Sequence, residues 1–111
     1  MTRLQARFRT IIGRYGDLLG TAPAVIASVT PGRARTYVSD ADLDSAVRPI
    51  WIAYAGHDHP ASEGQTLAWG ARSVLVKRTI DVRFGGNTVA RLLVLFTATS
   101  VPGEGEPGPL V

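Results

Sequence analysis

Two histidines and one glutamate lie close together near the middle of the chain, in a stretch rich in turn-forming residues. They are His57, His59 and Glu63, within Gly56-His57-Asp58-His59-Pro60-Ala61-Ser62-Glu63-Gly64. Two imidazoles and a carboxylate are three ligands that a divalent transition metal accepts. The chain has no cysteine, so a thiolate metal site, a disulfide and a cysteine nucleophile are all excluded. His57, His59 and Glu63 are therefore the candidate metal ligands.

This histidine spacing, followed by Gly70, resembles the first motif of the cupins. Cupins carry a second motif with a further histidine on a later strand, whereas no histidine follows His59 here. Trp51 also stands where the cupin motif has a glycine. A cupin-like metal-binding protein is thus an alternative. Our expectation is a polar loop with solvated side chains, in a protein that is not an enzyme and has no metal or cofactor.

Three acids, Asp40, Asp42 and Asp44, occupy alternate positions in a second polar stretch. This spacing opens a calcium-binding loop, but Ser45 stands where that loop needs glycine and Trp51 where it needs the closing acid. The sequence predicts an acidic surface loop over residues 39–46 and no calcium site.

The first part of the chain has the apolar spacing of one helical face, with arginines on its flanks. The pattern predicts an amphipathic helix over residues 2–15, and Gly16 is expected to end it in the left-handed conformation. The apolar stripe consists of Leu4, Phe8, Ile11, Ile12 and Tyr15.

The rest of the chain consists of short β-branched and aromatic runs separated by turn residues, which is typical of an all-β barrel or sandwich. Gly85-Gly86 should form a hairpin turn, and the nearly continuous apolar run over residues 89–96 predicts a strand covered on both faces. We expect a mainly β fold, a small barrel or sandwich of about six strands with an N-terminal helix. The predicted strands are 24–30, 33–38, 47–55, 65–69, 73–83 and 88–99.

Six of the nine residues over 101–109 are proline or glycine, which predicts an extended C-terminal tail. The expected organisation is one domain over 1–100, with the helix at 2–15 and the barrel at 24–99, followed by the tail over 101–111. No apolar run approaches the roughly 20 residues of a membrane span, and no signal peptide is expected. The net charge of +3 is too small to predict a dedicated DNA-binding protein.

The order of these features resembles the head-to-tail joining proteins of tailed bacteriophages, a family of small barrels that includes head-completion, stopper and adaptor proteins. Its recurrent phrase is a strand with Gly-Asp-x-Leu, a turn with Gly-x-x-Tyr-x-Val, and a hairpin back. Here Gln65 replaces the acid and Ser73 the aromatic residue. The stretches that carry the resemblance are Ile12-Gly13-Arg14-Tyr15-Gly16, Arg48-Pro49-Ile50-Trp51-Ile52, Gly64-Gln65-Thr66-Leu67 and Gly70-Ala71-Arg72-Ser73-Val74-Leu75-Val76.

The resemblance implies a structural virion protein of the phage neck, made in the host cytoplasm. Copies would form a homo-oligomeric ring, a hexamer or dodecamer, which continues the channel for double-stranded DNA and helps to retain the packaged DNA. The partners would be a portal or adaptor protein above and a tail terminator or tail tube protein below, with no membrane. Asp40, Asp42 and Asp44 would line the channel, and the assembly interface would comprise Leu4, Arg7, Phe8, Ile11 and Tyr15.

One further alternative is a free-standing module resembling the OB fold, which would bind single-stranded nucleic acid. Trp51, Tyr54 and Trp69 are the aromatic residues that could stack on bases in such a module.

Overall fold

The computed structural model describes residues 2–46 and 49–98. Within these residues the chain forms three helices and six strands. In chain order they are α1 (Arg3–Tyr15), β1 (Asp17–Leu19), β2 (Ala22–Val29), α2 (Pro31–Ala34), α3 (Asp40–Ser45), β3 (Ile50–Gly56), β4 (Thr66–Trp69), β5 (Arg72–Phe84) and β6 (Asn87–Thr97). No helix of the described ranges is long and apolar enough to cross a membrane.

The strands form a single antiparallel sheet in the order β1-β2-β3-β6-β5-β4. The two edge strands, β1 and β4, meet. Just after β1, the backbone N–H of Gly20 donates a hydrogen bond of 2.8 Å to the carbonyl oxygen of Ala68 in β4. The indole N–H of Trp69 also donates to the carboxylate of Asp17 across the same seam, at 3.4 Å. The sheet is therefore a nearly closed barrel, and the predicted mainly β fold with an N-terminal helix is confirmed.

Strand β6 is packed on both of its faces. Its odd-numbered residues, such as Leu93 and Leu95, join residues of every other strand in the barrel interior. Its even-numbered residues, such as Val94 and Phe96, lie on the outer face, where residues of α2, α3 and the segment between them cover them. The prediction of a doubly covered strand here is confirmed. The side chains that cover the outer face are those of Ala34, Val38 and Leu43.

Helix α1 lies across one end of the barrel, beside β2, β3 and β6. Thr2 and Gln5 form a capping box at its start, and the amide of Gln5 also donates to the carbonyl oxygen of Thr88 at the beginning of β6. Gly16 follows the helix with extended dihedral angles (φ −89°, ψ 165°), so the predicted left-handed stop is wrong. A Cβ at this position would lie 2.5 Å from the carbonyl oxygen of Ile12. Glycine is required here because the backbones approach closely, and not because of a positive φ.

The prediction of a strand over residues 33–38 is wrong. The chain instead forms helix α2 from Pro31 to Ala34, with Thr30 as its N-cap and Pro31 in its first turn, both of which favour helix initiation. The chain then turns so that Val38 donates its N–H to the carbonyl oxygen of Ala34 at 3.1 Å. Pro31 is compatible with a turn, but it stands in the first turn of the helix, where its missing N–H has no cost.

The acidic stretch over residues 39–46 is also not an extended loop, because it contains α3. The hydroxyl of Ser39 caps this helix by accepting the N–H of Asp42 at 3.2 Å. Asp40 and Asp42 lie in its first turn, where negative charge interacts favourably with the helix dipole. Leu43 is buried against the outer face of the barrel, which fixes the helix there.

One turn and one bulge determine the shape of the β5–β6 hairpin. Gly85 and Gly86 connect the strands with φ values of 60° and 82°, which confirms the predicted hairpin turn. The pairing shifts between Val76 and Arg78, so Lys77 occupies a bulge. That extra residue explains why apolar and polar residues alternate imperfectly along β5.

Strand β1 was not predicted, and the predicted tail over 101–111 lies outside the described residues.

Candidate functional site

His59, one of the candidate metal ligands, is buried in the loop after β3, with only 4% of its surface exposed. Its Nδ1 accepts the N–H of Ala61 at 3.1 Å, which places the proton of the neutral ring on Nε2. That Nε2 lies 3.1 Å from the carbonyl oxygen of Leu19 and 3.2 Å from that of Ala22, so it donates to both. Burial lowers the pKa of His59, which keeps the ring neutral. Nε2 thus attaches the loop to the β1–β2 turn, and Nδ1 fixes the ring within the loop itself.

Arg91 holds the same loop from the other side. Its side chain is only 17% exposed and donates from Nη1 to the carbonyl oxygens of His59 and Ala61, the latter at 2.9 Å. Its Nε lies 3.6 Å from the carboxylate of Asp81 in the neighbouring strand β5. The arginine that interrupts the apolar run of β6 therefore stabilises the loop.

The three candidate metal ligands do not form a cluster. The carboxylate of Glu63 accepts the N–H of Thr79 at 3.1 Å, and His59 would have to give up its hydrogen bonds to bind a metal. Nδ1 of His57 is buried and has no hydrogen-bond partner within the described ranges. Among residues 2–46 and 49–98, no group of three or more His, Asp or Glu side chains is placed to hold a metal ion.

Two of the three candidate channel acids are engaged by basic residues of the same chain. Asp40 forms an ion pair of 2.8 Å with Arg35, and Asp42 forms one of 3.2 Å with Lys77. The hydrogen bond from Lys77, followed by that from Ser39, lowers the pKa of Asp42. Asp44 is exposed. The acids thus lie on a short helix that is attached to the barrel, and their role in a channel stays a prediction.

The predicted assembly residues lie along α1, on a face that remains accessible. Ile11 is 46% exposed and Tyr15 is 69% exposed, although both are large and apolar. Leu4 and Phe8 are half-buried, and Arg7 is exposed. We call Leu4, Arg7, Phe8, Ile11 and Tyr15 the α1 surface.

Ile12 has a different role from the α1 surface. It is only 4% exposed, and it is the one residue of α1 that is buried. The sequence pattern had placed it in the same stripe as its exposed neighbours.

The three aromatic residues proposed for base stacking are divided between the two faces of the sheet. Trp51 is buried in the interior and meets Trp69 edge to face, with ring centroids 5.2 Å apart. The guanidinium of Arg72 lies 5.5 and 5.6 Å from these two rings, a cation–π arrangement. Tyr54 lies between Ala53 and Ala55, which both face the interior. Because side chains alternate along a strand, Tyr54 points to the outer face. These residues do not form one stacking platform.

One feature of the outer surface could not be predicted from the sequence. A groove of about 440 Å³ runs between α2 and the outer face of β2 and β3. Its existence depends on α2, which was predicted as a strand. We call it the β2–α2 groove, and it is lined by Ala27, Ser28, Val29, Thr30, Arg33, Tyr37, Ile52 and Tyr54.

Comparisons with known protein families, with curated proteins and with solved structures found no match.

Proposed function

We propose that this protein is a structural component of a bacteriophage neck, a ring-forming subunit that joins the portal to the tail. The observation that carries the proposal is the α1 surface, where Ile11 and Tyr15 remain exposed although the barrel already has a packed interior and β6 is covered on its outer face. Large apolar side chains that the fold leaves accessible on one helix are typical of a protein interface. The sequence resemblance described above supplies the class of assembly.

The structure of the motif that carries the resemblance, residues 64–76, supports the same proposal. Residues 64–76 include β4, the turn after it and the first five residues of β5. Gly70 in that turn has a φ of 59°, a conformation that glycine adopts without strain. The phrase therefore corresponds to a tight hairpin, as the resemblance implies.

The two candidate surfaces lie at opposite ends of the barrel strands. Helix α1 contacts the end where β6 begins, through Gln5 and Thr88, and Arg9 pairs with Asp58 just after β3. The β2–α2 groove lies towards the other end, where β2 leads into α2. Different patches at two ends of one subunit allow heterologous contacts, and such contacts close into a ring when the rotation between copies is suitable.

A joining assay tests the proposal. DNA-filled heads that lack the protein are mixed with free tails and with the full chain, wild type or variant, and joined particles are counted. Ile11→Asp and Tyr15→Asp each place a charge on the α1 surface, so both should retain the melting temperature but lose joining. The matched control is Thr10→Asp, on an exposed and different side of the same helix.

If wild type fails to join heads to tails, the proposed function is wrong. If wild type succeeds and both α1 variants succeed equally, the α1 surface is not the interface.

A further inference from the structure

The β2–α2 groove combines an apolar floor with aromatic walls and a basic residue. Ala27, Val29 and Ile52 form part of the floor, while Tyr37 and Tyr54 supply aromatic rings. Tyr54 is 48% exposed, so much of its ring is available for contact. Arg33 is exposed, and no carboxylate of the described ranges forms an ion pair with it. Aromatic-lined grooves with a nearby charge are suited to proline-rich segments in an extended conformation.

We propose that the β2–α2 groove binds residues 101–111 of a second copy of this chain. That segment reads Val-Pro-Gly-Glu-Gly-Glu-Pro-Gly-Pro-Leu-Val and carries two glutamates but no base. Its prolines restrict φ before binding, which reduces the entropy that is lost when it becomes ordered. In the proposed complex, Pro107 and Pro109 pack on the rings of Tyr37 and Tyr54. Glu104 and Glu106 lie near the guanidinium of Arg33.

The dimensions of the groove agree with this occupant. From Ala27 to Thr30 the floor extends along three residue steps of β2, about 10 Å at 3.3 Å per residue. A polyproline II segment rises about 3.1 Å per residue, so the three residue steps of Glu106-Pro107-Gly108-Pro109 span about 9 Å, close to the length of the floor. Leu110 and Val111 would then extend beyond one end of the groove.

The direction in which the chain leaves the barrel favours a second copy over the same copy. After Phe96 has paired with Ile50, the first residue of β3, the chain continues along β5. Ala98 donates its N–H to the carbonyl oxygen of Ser73, so the chain is still following β5 there. The groove lies on the opposite side of β3, back along the sheet. At Ala98, the last described residue, the chain is bonded to β5 and lies two strands away from β2, which favours the groove of a second copy.

This inference deepens the proposed ring and rests on it for the arrangement of copies, but the contact itself can be tested separately. The chain has no native cysteine, so single cysteines report specific contacts. Full-length Gly108→Cys is mixed with full-length Ala27→Cys under mild oxidation, and heterodimeric disulfides are quantified by mass spectrometry. Because the two cysteines are on different chains, a disulfide between them detects only contact between copies.

The matched control mixes Gly108→Cys with Ser62→Cys, which is exposed in the loop after β3 and outside the groove. We expect at least about fivefold more heterodimer with Ala27→Cys than with Ser62→Cys. Equal yields, or no heterodimer, would overturn the inference. A chain carrying both Gly108→Cys and Ala27→Cys that forms only the intrachain disulfide would show that the segment binds its own groove, which would also overturn it.

A charge exchange provides a second measurement. Arg33→Glu should reduce the heterodimer yield about two- to fivefold, as expected for one exposed ion pair. Combining it with Glu104→Lys and Glu106→Lys on the other chain should restore the yield. Failure of this rescue would contradict the predicted match between Arg33 and the two glutamates.

The results also separate this inference from the proposed function. Wild-type joining of heads to tails without the groove cross-link overturns only the binding of the tail segment. The cross-link in a protein that fails to join heads to tails overturns only the neck role.

Discussion

Protonation of His59 is expected to destabilise the barrel as the pH falls. The ring is 4% exposed, and as a neutral imidazole it accepts the N–H of Ala61 and donates to Leu19 and Ala22. A protonated ring has no acceptor at Nδ1, so the bond from Ala61 would be lost and a charge would be buried near Arg91. Asp58 is the acidic group whose charge opposes this effect.

The sign of the pH dependence follows from the direction of the pKa shift. Burial lowers the pKa of His59 in the folded state below its ordinary value of 6.5. The unfolded chain therefore binds the proton first as the pH falls, and the free energy of unfolding decreases below about pH 6.5. One proton contributes at most about 1.4 kcal/mol per pH unit, until the folded state is protonated as well. Above this range the contribution of His59 is constant.

Urea denaturation between pH 7.5 and pH 5.0 measures this slope. His59→Gln retains a polar side chain but cannot titrate in this range, so its unfolding free energy should change less with pH than that of wild type. His57→Gln is the matched control, because it removes a histidine two residues away whose Nδ1 has no hydrogen-bond partner within the described ranges. If wild type and His59→Gln lose stability with the same slope, the burial argument for His59 is wrong.

Three further predictions follow from particular contacts. Ile12→Ala should reduce the free energy of unfolding by about 2–4 kcal/mol because Ile12 is buried, whereas Ile11→Ala should change it by less than about 0.5 kcal/mol; chemical denaturation compares the two, and similar losses would contradict the assigned faces. Gly16→Ala should destabilise by more than about 2 kcal/mol, measured in the same way, since its Cβ would overlap the carbonyl oxygens of Ile12 and Ala24; unchanged stability would show that the backbone relaxes. Elemental analysis of purified protein should find no stoichiometric zinc, iron, manganese or nickel, because His59 uses both ring nitrogens in hydrogen bonds; one ion per chain that His57→Ala removes would contradict this.

Long, locally specified elements could be predicted from the sequence. Helix α1 has a 3.6-residue apolar period, and the hairpin at Gly85-Gly86 has two adjacent glycines with positive φ, so local chemistry alone indicates both. The apolar run in β6 predicted a doubly covered strand because neither face could be solvated. What covers its outer face could not be derived, since that depends on helices α2 and α3.

The errors arose where a local signal had two interpretations. Pro31-Gly32 serves equally as a turn between strands or as the first turn of a helix, and the choice depends on the burial of Ala34 and Val38 against the barrel. The acids after Ser39 are typical of a solvated loop. They form a helix here because Leu43 packs against the same outer face of the barrel. Such tertiary contacts override local propensity in short segments, where the backbone hydrogen bonds are too few to decide the structure.

The same ambiguity explains why the candidate surfaces were predicted so unequally. The α1 surface lies on one continuous helix, so the apolar stripe that contains it follows from spacing, whereas the burial of Ile12 within that stripe does not. The β2–α2 groove combines residues from two strands and the segment around α2, and it exists only because the chain after Thr30 turns back over the sheet. If residues 33–38 are predicted as a strand, the groove lacks the wall that contains Arg33 and Tyr37. A surface built from several short elements therefore requires the fold to be known before its chemistry can be recognised, whereas a surface on one long helix does not.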